Sequence, residues 1–182
     1  MTREAEVRKY EKCYLDPAYR MGAARRRHII ETLDRFERGS LLDVGTGRGE
    51  TMAFAEGLGY DPVRGTEAVD YLCDGKRVIQ ALGHDLPFGD RSFDYVTMFD
   101  VMEHLVPDDT GAVCRELARV ASKAVLLTVC NSPDVRAEGD LHINLRASYN
   151  DWHGELEHHF GRPVEFKLEP ERISQLFTIP IA

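Results

Sequence analysis

The fold is decided by the stretch Leu41-Leu42-Asp43-Val44-Gly45-Thr46-Gly47-Arg48-Gly49-Glu50. A short apolar run enters a turn with glycine at every second position, and a helical stretch follows at 51–58. A strand, a glycine-rich turn and a helix in this order present backbone N–H groups and a helix N-terminus to a ligand. Glycine suits such a turn because it has no Cβ to hold the ligand away from the backbone.

The spacing of these glycines narrows the kind of ligand. They follow G-x-G-x-G, whereas the dinucleotide fingerprint reads G-x-G-x-x-G. Glu50 stands where that fingerprint has its third glycine, and its carboxylate would repel a pyrophosphate. Glu67 follows Gly49 by 18 residues, at the end of the next predicted strand. In doubly wound sheets a carboxylate at that place faces a ribose, so the turn predicts a ribose-bearing ligand without a pyrophosphate.

Strand-like and helix-like segments alternate along the rest of the chain. Hydrophobic periodicity and stop signals predict helices at 4–14, 22–38, 51–58, 69–73, 108–120 and 148–160. Apolar and β-branched runs predict strands at 41–44, 63–67, 77–81, 93–99, 124–129, 164–168 and 175–179. This alternation is typical of a parallel sheet with helices on both faces.

Three further motifs follow the glycine turn in a specific order: Asp85-Leu86-Pro87-Phe88, Ser92-Phe93-Asp94-Tyr95-Val96 and Asp100-Val101-Met102-Glu103-His104-Leu105. With these motifs, the chain resembles a class I S-adenosylmethionine-dependent methyltransferase of the small-molecule, methyltransferase-11-like type over roughly residues 38–130. The resemblance implies an α/β, Rossmann-like three-layer sandwich with a mostly parallel seven-stranded sheet and an antiparallel last strand. It also implies S-adenosylmethionine as methyl donor and S-adenosylhomocysteine as product.

The resemblance also assigns cofactor-binding residues by position. The methionine part of the cofactor is expected at Gly45, Thr46, Gly47 and Gly49, and its ribose at Glu67, with Ala68 adjacent. The adenine is expected at His84, Asp85 and Leu86, and the amino group near the backbone of Phe99, while Asp43 contacts the cofactor or braces the loop. In similar methyltransferases an N-terminal segment covers the cofactor, which here points to Tyr19, Met21 and Arg25.

Methyl transfer from a sulfonium is an in-line displacement with an activated donor, so a base is needed only when the acceptor must lose a proton. His104 is the base candidate because it follows the fourth strand at the expected methyl-facing edge, and Asp100 and Glu103 are alternatives. His142 is a second candidate because the loop at 131–147 is expected to return near the methyl site.

Other chemistries find little support. The residues Phe99-Asp100-Val101-Met102 do not match the [DN]-P-P-Y motif of adenine and cytosine amino methyltransferases. Carbon-5 pyrimidine methylation needs a cysteine nucleophile, and Cys130 is interpreted as an inert thiol at the edge of the core. His153 and Glu157 lie four residues apart, but on the solvated side of their helix, so no metal site is predicted.

Length and composition limit the classes of protein to which the chain can belong. With 182 residues, 43% of them hydrophobic, the chain is expected to form one domain, with a helical arm at 1–37 covering the cofactor site of a core at 38–182. The sequence has no apolar run near the roughly 18 residues that cross a bilayer. Its four cysteines show no C-x-x-C spacing. Acidic residues stand near its start, where a signal peptide has an apolar stretch. We therefore expect a cytoplasmic protein without membrane contact.

The charge is unevenly distributed. The net charge of −8 argues against a protein that coats nucleic acid. The first 40 residues nevertheless carry a net charge of +3, which peaks at Arg25-Arg26-Arg27. This basic segment is interpreted either as a solvated helix face or as a contact for an anionic group of the cofactor or substrate.

The leading hypothesis is a methyltransferase (EC 2.1.1.-) that acts on a small molecule through oxygen, nitrogen or carbon. Two alternatives stay open. In one, the acceptor is a nucleotide, a sugar or a macromolecule docked by the basic arm. In the other, the chain binds the cofactor and regulates a partner without catalysis. A homodimer is a further prediction.

Overall fold

The structure is a computed structural model that describes residues 2–136 and 139–181. Its helices are α1 (Arg3–Leu15), α2 (Ala23–Asp34), α3 (Glu50–Gly57), α4 (Thr110–Val120) and α5 (Tyr149–Phe160). Its strands are β1 (Leu41–Val44), β2 (Val63–Glu67), β3 (Val78–Gln80), β4 (Phe93–Phe99), β5 (Ala121–Cys130), β6 (Val135–Arg136), β7 (Gly139–Asp140), β8 (Glu165–Phe166) and β9 (Ser174–Pro180).

Seven of these strands form one sheet in the order β3-β2-β1-β4-β5-β9-β8. Strands β1 to β5 pair in parallel, and β9 runs antiparallel to both of its neighbours. The predicted Rossmann-like sheet with an antiparallel last strand is confirmed. The strand order reverses between β1 and β4, and ligands of doubly wound sheets bind in the crevice at such a point.

Apolar side chains cover both faces of the sheet. On one face, Leu117 of α4 and Trp152 of α5 are fully buried in a cluster with the β4 and β5 side chains. On the other face, α2 and α3 contribute Ile29, Leu33 and Met52. The continuous apolar run of β5 is buried along most of its length, as expected for a strand covered on both faces. The second predicted arm helix therefore belongs to the packed core.

Several boundaries differ from the predictions. The segment 69–73 contains a single 3₁₀ turn at Asp70–Leu72, and α2 ends at Asp34 rather than at 38. The polar segment 131–147 contains the short antiparallel pair β6–β7, which was not predicted, and its residues 137 and 138 lie outside the described part of the chain. In the described residues, the helices are too short or too polar to cross a bilayer.

Candidate functional site

A cavity of about 1010 Å³ lies at the edge of the sheet where β1, β2 and β4 end. Its walls come from the glycine turn, the ends of β2 and β4, residues 98–106, His142, both arm helices and the loop at 168–174. The cavity therefore occupies the crevice where the strand order reverses. Its volume lies at the top of the roughly 300–1,000 Å³ typical of small-molecule sites.

The glycine turn requires glycine for two separate reasons. Gly45 has φ +74° and Gly47 has φ +55°, a left-handed backbone that L side chains rarely adopt. A Cβ on Gly45 would lie 2.7 Å from Cγ2 of Val101, and one on Gly47 would collide with the hydroxyl of Tyr14. The turn is thus tightly packed between the residues after β4 and helix α1.

Glu67 braces this turn from the end of β2. Its Oε2 accepts a hydrogen bond from the Gly47 N–H at 2.7 Å, and its Oε1 accepts from Ala68 and Val69 at 2.8 and 3.1 Å. Burial raises the pKa of the Glu67 carboxyl, and these N–H donors oppose that shift. A carboxylate offers about four lone-pair positions, so at least one remains for a ligand in the cavity, which Glu67 lines.

The basic arm is held at the cavity by ion pairs. Arg25 contacts Asp100 (Nε to Oδ2, 2.7 Å) and donates to the Phe99 carbonyl at 3.0 Å. Arg26 pairs with Glu50 at 2.8 Å, and Arg3 pairs with Asp109. Three arginines of the basic arm are therefore paired with acidic residues of the body and of the helix next to the glycine turn.

Asp100 has an unusual backbone. Its φ is +53°, which is uncommon for a residue with a side chain. The buried carboxylate accepts a hydrogen bond from the Thr128 hydroxyl at 2.7 Å through Oδ1 and meets Arg25 through Oδ2. These contacts hold the residues after β4 in a turn that directs the chain back along the cavity.

His104 and His142 meet at the far wall of the cavity. Their ring centroids are 4.8 Å apart. Nδ1 of His104 lies 2.9 Å from the Leu141 carbonyl oxygen and 2.5 Å from the hydroxyl of Tyr10 on α1. Burial lowers the pKa of His104 to about 3, so the ring is uncharged at neutral pH. The loop around His142 thus returns to the site, as its predicted role requires.

Glu103 lies behind these histidines and is fully buried. Its Oε1 accepts a hydrogen bond from the Cys130 N–H at 3.0 Å. Its Oε2 is buried and has no hydrogen-bond partner. Burial, together with the nearby Asp100, raises the pKa of the Glu103 carboxyl well above its usual range. A buried carboxyl oxygen without a partner is costly, so Oε2 of Glu103 is a candidate ligand-binding atom at the cavity wall.

Comparison with known proteins fits this geometry. Residues 42–129 match the family model described as a methyltransferase domain. This match includes the glycine turn and Glu67, and it supports a class I S-adenosylmethionine-dependent methyltransferase. No curated protein sequence matches this chain at a significant level.

Solved structures share the fold at low sequence identity. A Burkholderia thailandensis 1,6-didemethyltoxoflavin N1-methyltransferase, solved with 1,6-didemethyltoxoflavin and S-adenosylhomocysteine, is 18% identical with a TM-score of 0.74; the alignment covers 97% of this chain and 87% of that one. An S-adenosylmethionine-dependent methyltransferase of Thermotoga maritima is 17% identical with a TM-score of 0.63, over 86% and 89% of the two chains. The mitomycin 7-O-methyltransferase is 17% identical with a TM-score of 0.65, over 96% and 60%.

Most of the predicted site residues lie on the cavity wall. The residues that line it are Gly45, Thr46, Gly47, Glu67, Ala68, His84, Phe99, Tyr19, Met21, Arg25, His104 and His142. Their individual roles stay predictions.

Four predicted residues do not line the cavity. Asp43 is buried beneath the glycine turn, where its Oδ1 accepts a hydrogen bond from the Thr97 hydroxyl at 2.7 Å. Burial raises the pKa of Asp43 to about 6. Gly49 precedes α3 with φ +78°. Asp85 is exposed, and the Leu86 side chain lies in the core. Asp43 therefore does not line the cavity, and its predicted role in bracing the loop stays a prediction.

The structure also adds residues that sequence reasoning did not assign to the site. Tyr10 and Tyr14 lie one helical turn apart on α1, and both line the cavity. Their four-residue spacing was a usable signal. The loop at 168–174 also lines the cavity. Nothing in its sequence indicates this position, because it is brought there by the pairing of β8 with β9.

Proposed function

We propose that this methyltransferase transfers a methyl group from S-adenosylmethionine to a small-molecule acceptor by in-line displacement. The observation that carries the proposal is a single cavity with two chemically different ends. The glycine turn and Glu67 form one end, and Glu103, His104 and His142 form the other. A volume of about 1010 Å³ has room for the cofactor together with a compact acceptor.

The cofactor end supports binding through backbone and carboxylate groups. The ribose would bond to the lone pair that Glu67 retains, and the methionine part would lie against Gly45 and Gly47. Arg25 occupies the Phe99 carbonyl, the acceptor proposed for the cofactor's amino group. We therefore propose that Arg25 moves from this carbonyl to the cofactor's carboxylate when the cofactor binds, because a guanidinium group bonds more strongly to a carboxylate than to a neutral carbonyl.

The acceptor end offers lone pairs next to the transferred methyl group. His104 remains the predicted general base, but a pKa of about 3 means that it holds a proton weakly at neutral pH. Its uncharged ring is suited to accept a hydrogen bond from an acceptor hydroxyl or amine. This orients the nucleophile for displacement without a full proton transfer.

Two observations favour a small acceptor over a macromolecule. Helix α1 closes the cavity through the Arg3–Asp109 and Tyr10–His104 contacts, which a bulky acceptor would have to displace. Arg25 and Arg26 pair with acidic residues, so they are less suited to dock phosphates. Two solved neighbours are named for compact ring molecules, a didemethyltoxoflavin and a mitomycin, which supports the same class of acceptor.

The proposal also covers the cellular compartment and the oligomeric state. The four cysteines are free thiols, which suits the reducing cytoplasm. The homodimer stays a prediction.

Calorimetry followed by a transfer assay tests the proposed function. We expect heats of binding for S-adenosylmethionine and S-adenosylhomocysteine and none for NAD. A screen of small hydroxyl-, amine- and ring-nitrogen compounds with methyl-labelled cofactor should then yield a labelled product. A folded protein that binds neither cofactor form would overturn the proposal, and label found only in nucleic acid or protein acceptors would favour the macromolecular alternative.

A further inference from the structure

The wall of Glu103, His104 and His142 has the chemistry of a metal site. Among the described residues, these side chains bring a carboxylate oxygen and two imidazole nitrogens within 4.8 Å of one another. Two imidazoles and one carboxylate form a ligand set that Zn²⁺ and related divalent transition ions prefer. Glu103 and His104 are adjacent in sequence, but His142 reaches them only through the fold.

The hydrogen bonds of the two histidines indicate which ring nitrogen would coordinate an ion. Nδ1 of His142 contacts the Ser132 carbonyl oxygen, and Nδ1 of His104 contacts that of Leu141 at 2.9 Å. A carbonyl oxygen only accepts, so each Nδ1 is a donor, and in a neutral ring the lone pair is then on Nε2. The Tyr10 hydroxyl donates to the Leu141 carbonyl oxygen and accepts from Nδ1 of His104. Metal-bound histidines in proteins are usually oriented in this way, with the second ring nitrogen donating to a carbonyl or carboxylate.

The Glu103 carboxylate is a second, independent observation that points to a bound ion. Oε2 of Glu103 is fully buried without a partner, while Oε1 is held by the Cys130 N–H. An ion bound at Oε2 would give this buried oxygen a partner. A tetrahedral ion at 2.0–2.2 Å separates its ligands by about 3.4 Å, so closing the three groups around it needs side-chain shifts on the order of 1 Å.

We propose that Glu103, His104 and His142 bind a divalent transition-metal ion of the Zn²⁺ type and leave one coordination position open to the cavity. Three protein ligands with an open fourth position are typical of catalytic rather than structural zinc sites. Tyr10 of α1 contacts Nδ1 of His104 and would be an outer partner of the ion.

The role of this ion rests on the proposed function. With the ion bound, Nε2 of His104 is a ligand, so the acceptor is oriented by the open coordination position instead of by a hydrogen bond to His104. An acceptor oxygen or nitrogen at the open position would lose its proton to solvent more readily. The S–CH₃ bond of the cofactor then breaks as the bond from the acceptor atom to the methyl carbon forms. The substrate class that fits is a compact molecule with a metal-binding hydroxyl, carbonyl or ring nitrogen at or beside the methylated atom.

Metal titration of the full-length protein tests the site. Protein stripped with a chelator is titrated with Zn²⁺ by calorimetry and with Co²⁺ by visible absorption. We expect one ion per chain. Losing an outer partner of a metal site typically weakens binding about 10- to 100-fold, so Glu103→Gln and His142→Ala should each weaken it by about 100-fold or more. His153→Ala is the matched control, because His153 contacts the Val164 carbonyl and Glu157 on α5 and lies outside the cavity wall.

The outcomes separate the metal site from the proposed function. A folded wild-type protein that binds neither ion, or binding that survives both variants, overturns the site. Binding lost in His153→Ala instead would assign the ion to α5 and also overturns it. S-adenosylhomocysteine is titrated into the same stripped protein, where cofactor binding without metal binding refutes only the metal site. If Glu103→Gln fails to fold, His142→Ala and His104→Ala serve as the tests.

Discussion

Glu67 offers the sharpest test of the cofactor site, because one side chain carries two separable interactions. Glu67→Gln keeps the shape of the side chain but leaves a single acceptor oxygen. If that oxygen stays on the Ala68 and Val69 N–H groups, the new NH₂ faces the Gly47 N–H across a contact of 2.7 Å in the native protein. Two donors then oppose each other, and the buried Gly47 N–H loses its acceptor.

Two magnitudes follow from this geometry. An unsatisfied buried N–H costs about 1–3 kcal/mol, so the free energy of unfolding should fall by that amount. The loss of a charge-assisted hydrogen bond to the ribose costs about 1.5–3 kcal/mol, which weakens S-adenosylhomocysteine binding about 10- to 150-fold. The product is the better probe because it cannot react.

Calorimetry with S-adenosylhomocysteine and urea denaturation measure the two effects on the same preparation. Glu56→Gln is the matched control, because Glu56 is exposed on α3 and its ion pair with Arg77 lies at the surface. It should leave the affinity within about twofold and the stability within about 1 kcal/mol. Unchanged affinity in folded Glu67→Gln refutes the ribose contact, and unchanged stability refutes the bracing of the glycine turn.

Three further predictions concern other parts of the molecule. Folded Asp43 keeps its proton to about pH 6, whereas the unfolded chain releases it near pH 4, so this residue's contribution to stability is lost as pH rises between these values. The free energy of unfolding of Asp43→Asn, measured by urea denaturation, should therefore rise by up to about 3 kcal/mol relative to that of the wild type between pH 4 and pH 7. A difference that does not change with pH would contradict the raised pKa. Gly47→Ala should abolish or strongly weaken S-adenosylhomocysteine binding in calorimetry, whereas Gly57→Ala, with open space at its Cβ position, should not; equal affinities would show that the turn tolerates a side chain. Trp152→Ala should lower the free energy of unfolding by about 3–5 kcal/mol, because the ring is fully buried; a loss below 1 kcal/mol would mean that α5 contributes little to the core.

Local pattern was sufficient for the fold. The glycine turn after β1, the stripe of α4 and the continuous run of β5 each depend on neighbouring residues, because periodicity records which face of an element is buried. Strand lengths at the edge were less predictable. The edge strands β3 and β8 have three and two residues, whereas five were predicted for each; the inner strand predicted at 175–179 is found as β9 at Ser174–Pro180. Edge strands have one neighbour, so pairing rather than pattern sets their ends.

The sequence by itself determined the class of this protein and the cofactor end of its cavity. Gly45, Gly47 and Glu67 lie within one strand–turn–helix–strand unit, so their spacing already places them together. The opposite wall was decided only by tertiary structure. His142 lies 38 residues beyond His104 in the chain, and the Tyr10–His104 contact joins residues 94 positions apart. The ion-pair partners of the basic arm were likewise decided by tertiary structure. Arg25 contacts the carboxylate of Asp100, whose backbone has a positive φ. Such contacts depend on how loops return to the sheet edge, and no local spacing encodes that path.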